Sequence, residues 1–432
     1  MVMDHTSTGR SDKNRRIADS MRATYAKREG QVCRVFQCKI QRNKLTAGQK
    51  EELKMLFVEG KWCYNAILNS GESSSIFDYD TKSKTVVHKD KDGNDIECEY
   101  AYLPQSLRQT IHAQIKNSIR VLAARKKKGL KVGSLKYISE LRSLDFKQFG
   151  VTHKIPRMNR IKLQGVKGLL KVNGMDQFYG NPDYEIANVK LLNRPDGHYM
   201  AVTCWIDKDK VESKRKNNKV IGVDFGIETD FTTSEGEKIH ASVQEGERIK
   251  RLQKKLARQV KGSRRYARTL HLIRVEYQKM TNCKDDLANK IVAGLVENRT
   301  VVIQDEMLTH WHKGWFAGHV QHSVLGRVKS DLMRRDDVVV LNKAVPSTRF
   351  CPHCGKLNSL SLSDRIYHCD CGADDMDRDV HAARNMIWFY ENNVGVGRTE
   401  TSAPEIRRAI EKAFMKGNLD CHGPLKGEAS TF

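Results

Sequence analysis

The chain has 432 residues and carries 76 Lys and Arg against 52 Asp and Glu, a net charge of +24. That length buries sizeable cores in roughly two or three domains, and aromatic and β-branched residues recurring from 32 to 390 exclude disorder throughout. No run of about 18 uncharged apolar residues occurs, so no membrane span is expected. The charge excess points instead to a polyanion, nucleic acid before an anionic membrane surface.

Residues 1–30 lack the apolar stretch of a signal peptide and read as a basic, mobile arm. The 11 cysteines are an odd number, seven scattered and four clustered, which favours reduced, buried thiols over a disulfide framework. Residues 32–40 read as a strand. Thr46 and Gln49 have capping-box spacing ahead of a helix bearing Leu53, Leu56, Phe57, Tyr64, Ile67 and Leu68. The polar stretch 69–101 reads as a surface insertion. Leu107, Ile111, Ile115, Ile119 and Leu122 form one helical stripe that runs into Arg125, Lys126, Lys127 and Lys128.

From about 155 to 206 the pattern changes to short strands, with Arg194-Pro195-Asp196-Gly197 as a hairpin turn. Residues 207–219, charged and nearly free of apolar side chains, mark a boundary. Beyond it lie two strand-like runs over 220–239 and long helices over 245–298. The interval from Arg248 to Arg274 contains no Asp or Glu. A buried-type strand then ends in acid at 300–308, a helix spans about 319–334, and a strand covers 337–341. Residues 396–432 read as a poorly ordered tail.

Three carboxylates stand out. Asp224 lies within an apolar strand, where an ionised group is costly unless compensated. Glu306 ends an equally apolar strand, and Asp379 opens a helix whose small Ala382 and Ala383 permit close approach to a sheet. Acids from three distant segments can converge on hard divalent cations that cleave phosphodiesters. Singly, each has a plainer reading as a turn former, a cap or an N-cap, and Asp305, Asp375, Asp377 and Glu228 compete for the same roles.

Cys351, Cys354, Cys369 and Cys371 form a C-x₂-C-x₁₄-C-x-C pattern with Gly355 and Gly372 after each pair, as in the knuckles of a zinc ribbon. His353 and His368 are substitute ligands, because the second pair is one residue short. Arg251, Lys254, Lys255, Arg258, Arg264 and Arg265, with Arg125 to Lys128, are candidates for gripping phosphates. A charge run is more often a solvated helix face; the net charge favours the binding reading here.

Taken together, these segments resemble the TnpB proteins of insertion sequences and their descendants, the miniature type V-F CRISPR nucleases, over most of the chain. GKWCYNAILN (60–69) is similar to the family's N-terminal helix and RKKKGLKVGSLKY (125–137) to its Lys-rich segment. IGVDFGIETDFTTSEGEKI resembles the first RuvC motif, and IQDEML (303–308) the second. STRFCPHCG (347–355) and DRDVHAARN (377–385) resemble the ribbon and third motif, and GPLKGEAS the family's ending. Two departures are His381 at a position usually held by Asn, and the C-x-C pair.

The resemblance implies an RNA-guided DNA endonuclease in which Asp224, Glu306 and Asp379 hold two Mg²⁺ ions and the ribbon holds one Zn²⁺. Its partners would be a guide or scaffold RNA and double-stranded target DNA, with no membrane, in a monomer or homodimer of the prokaryotic cytoplasm and nucleoid. The implied fold is α+β and multidomain. A β-barrel wedge (31–45 and 150–206) carries an inserted helical recognition domain (46–149), and a linker (207–219) follows. An RNase H-like nuclease domain (220–348 and 374–395) then carries an inserted zinc ribbon (349–373). Competing classes are a nuclease-inactive RNA-guided DNA binder and a guide-independent junction nuclease or transposase.

Overall fold

The computed structural model describes residues 6–71, 75–89, 93–212, 219–311, 317–361, 363–397 and 402–417. It divides into two units, up to residue 214 and from residue 215.

The first unit opens with α1 (Thr6–Glu29), where the sequence suggested a mobile arm. This helix has no apolar stripe. Its C-terminal end is anchored by Lys27 and Arg28, each 2.7 Å from Glu185, and by the Arg28 guanidinium 4.6 Å over the Trp205 ring. Then come β1 (Gln31–Ile40), α2 (Ala47–Ser70), β2 (Thr85–Lys89), β3 (Asp95–Glu99) and α3 (Gln105–Lys127). Thr46 and Gln49 form the expected capping box at the start of α2. The stretch read as a surface insertion contains the β2–β3 hairpin, and Val86 within it is buried.

The unit continues with β4 (Ser143–Phe146), β5 (His153–Arg157), β6 (Arg160–Leu163), β7 (Leu170–Asn173), β8 (Glu185–Arg194), β9 (Gly197–Asp207) and α4 (Lys208–Glu212). Seven of these strands form one antiparallel sheet in the order β4-β8-β9-β1-β7-β6-β5. The β8–β9 hairpin closes at Arg194 opposite Gly197, as the turn chemistry predicts. β4 lies inside the stretch assigned to a helical domain, yet Phe146 pairs with Val189 in the sheet. One continuous core joins Leu53, Leu56 and Phe57 of α2 and Leu107, Ile111 and Ile115 of α3 to Phe146, Ile161, Leu191 and Val202. The two helices therefore share the sheet's core and do not form a core of their own. Cys38, Cys63 and Cys204 are buried in it, and burial pushes their thiols up to about 12, 11 and 12. Cys33 and Cys283 are exposed, and Cys421 lies outside the described residues.

The second unit begins with β10 (Lys219–Phe225), β11 (Phe231–Thr233), β12 (Lys238–Ile239), α5 (Glu247–Ala257), α6 (Arg264–Val296) and β13 (Arg299–Gln304). Short helices α7 (Leu308–Trp311), α8 (Ala317–His322) and α9 (Leu325–Leu332) lead to β14 (Val338–Leu341). The single helix expected over 319–334 is broken because residues 322–324 bridge back to 241–243, with Val243 N donating to His322 O and Val324 N to Ala241 O. After these come β15 (Ile366–Cys369), β16 (Ala373–Asp377), α10 (Arg378–Glu391) and α11 (Ala403–Gly417). Helix α11 occupies part of the stretch read as a poorly ordered tail, with Ile406 and Ile410 buried. The GPLKGEAS segment lies outside the described residues.

The main sheet has the order β12-β11-β10-β13-β14, antiparallel at first and parallel from β10 to β14. Period-two alternation sends Ile221, Val223, Val301 and Ile303 to one face, against Ile291, Leu295, Leu325 and Val328. The other face carries Val302 and Leu341 against Met386 and Phe389 of α10 and Ile406 and Ile410 of α11. Gly222 lies on this second face, and an added Cβ there would stand 1.8 Å from the Ala383 carbonyl oxygen. Among the described residues, no helix is long and apolar enough to cross a membrane.

Candidate nuclease centre

Asp224 lies two residues after Gly222 on β10, and that spacing puts both on the sheet face that receives α10. α10 begins at Arg378, so Asp379 stands in its first turn. Glu306 follows the end of β13, whose last residues are fixed by Asp305 N donating to Leu341 O and by buried Gln304. The Gln304 amide donates to the carbonyls of Lys343 and Val345 at 3.1 and 2.7 Å and accepts from Ser347 Oγ at 2.8 Å. The three acids are half-buried.

Burial, first, and then the negative charges of Asp379 and Glu306 push the Asp224 carboxyl well above the ordinary carboxylate range. The Arg378 guanidinium opposes that rise. Burial also raises Glu306, against the attraction of Lys329. The structure thus brings Asp379 and Glu306 into electrostatic range of Asp224.

The four competing acids are engaged otherwise. Asp305 is paired with Lys329 at 2.7 Å, and Lys329 also bonds the Glu306 carbonyl. Asp377 is the N-cap of α10, accepting from the amides of Asp379 and Val380 at 3.0 and 3.2 Å, while its other oxygen meets Lys238 at 2.6 Å. Asp375 meets His368 Nδ1 at 2.6 Å, and Glu228 pairs with Arg365.

The four cysteines come together with all their sulfurs within 4.8 Å. Cys351 to Cys371 is 3.7 Å and Cys354 to Cys369 is 3.6 Å. A tetrahedral ion with metal–sulfur bonds of ~2.3 Å would place its sulfurs ~3.8 Å apart, so the thiols fit a structural metal site. Gly355 and Gly372, at φ +73° and +82°, supply the left-handed turns that fold each knuckle back. His368 is engaged by Asp375 and His353 is exposed, so neither replaces a thiol in the cluster. The hairpin β15–β16 runs on to Asp377, past the boundary at 373 expected for the ribbon.

Arg251, Lys254 and Lys255 on α5, Arg258 at its C-cap, and Arg264 and Arg265 on α6 are all exposed. None makes an ion pair among the described residues, whereas Arg248 and Lys250 are paired with Glu276 and Glu247. Arg125, Lys126, Lys127 and Lys128 are exposed at the end of α3, where cations also complement the helix dipole.

Two buried residues of α10 carry contacts that sequence reasoning missed. His381 Nε2 lies 2.8 Å from the Phe350 carbonyl oxygen, and its ring stacks on Tyr367 at 3.4 Å. Asn385 Nδ2 donates to the carbonyls of Ser347 and Phe350, both at 2.7 Å. The sequence signal was present in His381 and Asn385, spaced four apart on the helix face that also carries Ala382.

Comparison with known proteins places these segments. Residues 202–305 match the OrfB_IS605 family model, described as "Probable transposase". Residues 332–386 match the Cas12f1-like TNB domain. The resemblance read from the sequence is borne out over these segments, which carry its first acidic motif, the start of its second up to Asp305, and its cysteine and third-acid motifs. A Streptomyces pristinaespiralis protein named "Putative RNA-guided DNA endonuclease" is 30% identical over 191 residues, 42% of this chain and 47% of the relative. The chain spans about half the length of that curated relative. A solved structure of the mini-RNA-guided endonuclease CRISPR-Cas phi3 aligns over 83% of this chain and 92% of that one, with 8% identity and a TM-score of 0.41.

Proposed function

We propose that this protein is an RNA-guided DNA endonuclease whose second unit hydrolyses phosphodiester bonds at a carboxylate-held pair of Mg²⁺ ions. The observation that carries the reading is the Asp224 carboxyl, half-buried and destabilised as an anion by Asp379 and Glu306. A divalent cation restores the ionised form of such a group, and three carboxylates from β10, the end of β13 and α10 offer the hard oxygen donors that Mg²⁺ prefers. When bound, two Mg²⁺ ions supply an activated water and charge stabilisation for the leaving oxygen.

The rest of the unit supports that assignment. Lys329 pairs with Asp305 and bonds the Glu306 carbonyl, and the Glu306 carboxylate lies within electrostatic range of Asp224. Arg378 tempers the repulsion between the acids. The sheet order, antiparallel on one side of β10 and parallel on the other, agrees with an RNase H-like nuclease domain. The four thiols hold one Zn²⁺ that staples the β15–β16 hairpin leading into α10. The unpaired cations of α5 and α6 grip nucleic-acid backbone by charge. The first unit, with its seven-stranded sheet and the helices α2 and α3, serves as wedge and recognition body for guide RNA and target DNA.

A guide-independent transposase or junction nuclease is the second reading, because the family description of residues 202–305 names a transposase. Sequencing the RNA that copurifies with the protein, and then presenting that RNA with a complementary DNA duplex, separates the two. RNA-dependent cutting at the complementary site is the expected result. An RNA-free protein that cuts branched DNA unaided would reverse the choice.

A further inference from the structure

Both chain segments that enter the thiol cluster are tied to the helix carrying Asp379. The first runs through Phe350 into Cys351, and the Phe350 carbonyl is contacted by His381 and Asn385. The second runs through Tyr367 to Cys369. Tyr367 is 1% exposed, packs with Cys351 and Cys369, and lies flat on the His381 ring with an interplanar angle of 14°. Its hydroxyl is held by Asn358 Nδ2 at 2.6 Å. His381 thus touches both knuckle strands, two residues beyond Asp379 on the same helix.

The base of the hairpin is fixed from other sides as well. Arg378 N donates to Arg365 O at 2.9 Å, and Ile366 pairs with Asp377, the N-cap of α10. Lys238 and Glu228, both downstream of Asp224, hold Asp377 and Arg365. A rigid ribbon therefore fixes where α10 starts, and a loosened ribbon frees its first turn.

We propose that His381 is a positioning residue that couples the thiol cluster to Asp379, so that an ion held by the four sulfurs raises the affinity of the carboxylates for a divalent cation. This rests on the reading of Asp224, Glu306 and Asp379 as a cation site. The physical basis is that the thiol-bound ion fixes Cys351 and Cys369, which fixes Phe350 and Tyr367. The His381 ring transmits that position to the first turn of α10. Coupling between two such sites is reciprocal, so each ion also tightens the other.

The test uses the full chain and reads Mn²⁺ binding by electron paramagnetic resonance, with the thiol cluster zinc-loaded or zinc-stripped. In the native protein, stripping should weaken Mn²⁺ binding on the order of tenfold, a typical coupling between sites. In His381→Leu, which should still load one zinc per chain, Mn²⁺ binding should already be weak and stripping should change it less than about twofold. His381→Gln, whose side-chain amide can donate to the Phe350 carbonyl, should restore part of the difference. Mn²⁺ affinity in the native protein that is indifferent to zinc would overturn the proposal, as would a His381→Leu protein that keeps the full tenfold difference. Mn²⁺ binding that survives Asp224→Asn unchanged would overturn the carboxylate reading itself and the coupling with it.

Discussion

The carbonyl oxygen of Ala383 lies where the Cβ of any residue larger than glycine at position 222 would stand, 1.8 Å from that point. Helix α10 and strand β10 therefore meet backbone to backbone, and this contact brings the Asp379 turn over the strand that carries Asp224.

Gly222→Ala should push α10 away from the sheet, because the obstructing atom is main chain and no rotamer change relieves it. Overpacking of this kind costs about 1–3 kcal/mol or more. Equilibrium unfolding in denaturant should show the loss, and Mg²⁺-dependent cleavage should fall further than stability, since Asp379 moves with the helix. A Gly222→Ala protein with native stability and cleavage would mean the helix sits further off than described.

The pH dependence of stability offers a separate check. Asp224 and Glu306 are held above ordinary carboxylate values, so each binds its proton more tightly folded than unfolded. Such groups cost stability as pH rises from about 4 through their raised values. Buried His153 and His381, lowered to about 4, act oppositely: their contribution is full above about 6.5 and is lost as pH falls. Asp224→Asn leaves those histidines in place. In metal-free protein it should raise the melting temperature more at pH 8 than at pH 5, and Mg²⁺ should stabilise the native chain more at pH 8. Equal Mg²⁺ shifts in native and Asp224→Asn proteins would place the ion elsewhere.

In the first unit, Glu59 is 1% exposed and its carboxylate accepts from the amides of Ala101, Tyr102 and Leu103 at 2.7–3.2 Å. Glu59→Ala would leave three amides without an acceptor and open a cavity between α2 and the chain entering α3. The expected cost is about 2–4 kcal/mol, read as a lower denaturant midpoint. A change below about 0.5 kcal/mol would show that water replaces the carboxylate.

The exposed cations of α5 and α6 should act through charge rather than base recognition. Replacing Arg258, Arg264 and Arg265 together by Gln should weaken RNA and DNA binding alike. It should also reduce the slope of log affinity against log salt by up to about 2–3. An unchanged slope would return these side chains to the role of a solvated helix face.

How much of this was legible in the sequence depends on the range of the interactions. The stripe from Leu107 to Ile115 on α3, the Thr46–Gln49 box and the Arg194–Gly197 turn are local patterns, and each was recovered. The acids and cysteines stood out because their residue types are unusual in their settings, and the structure sets Asp379 and Glu306 near Asp224 and gathers the four thiols. α11 could have been read, since Ile406, Ile410 and Phe414 recur every four residues among charges. By contrast, α1 has no periodic apolar signal, and β4 is too short to show one. Glu59 carries no local signal of burial, because the amides that justify it lie 42 to 44 residues away. The spacing of His381 and Asn385 marks a shared helix face, but it does not name the partners of His381, Phe350 and Tyr367, which lie in other segments of the chain.

The central claim is that Asp224 belongs to the cutting machinery and not to the binding surface. Asp224→Ala should abolish Mg²⁺-dependent cleavage of a guide-matched duplex, while the protein retains its copurifying RNA and its affinity for the target within about twofold. Undiminished cleavage by that variant would contradict the account.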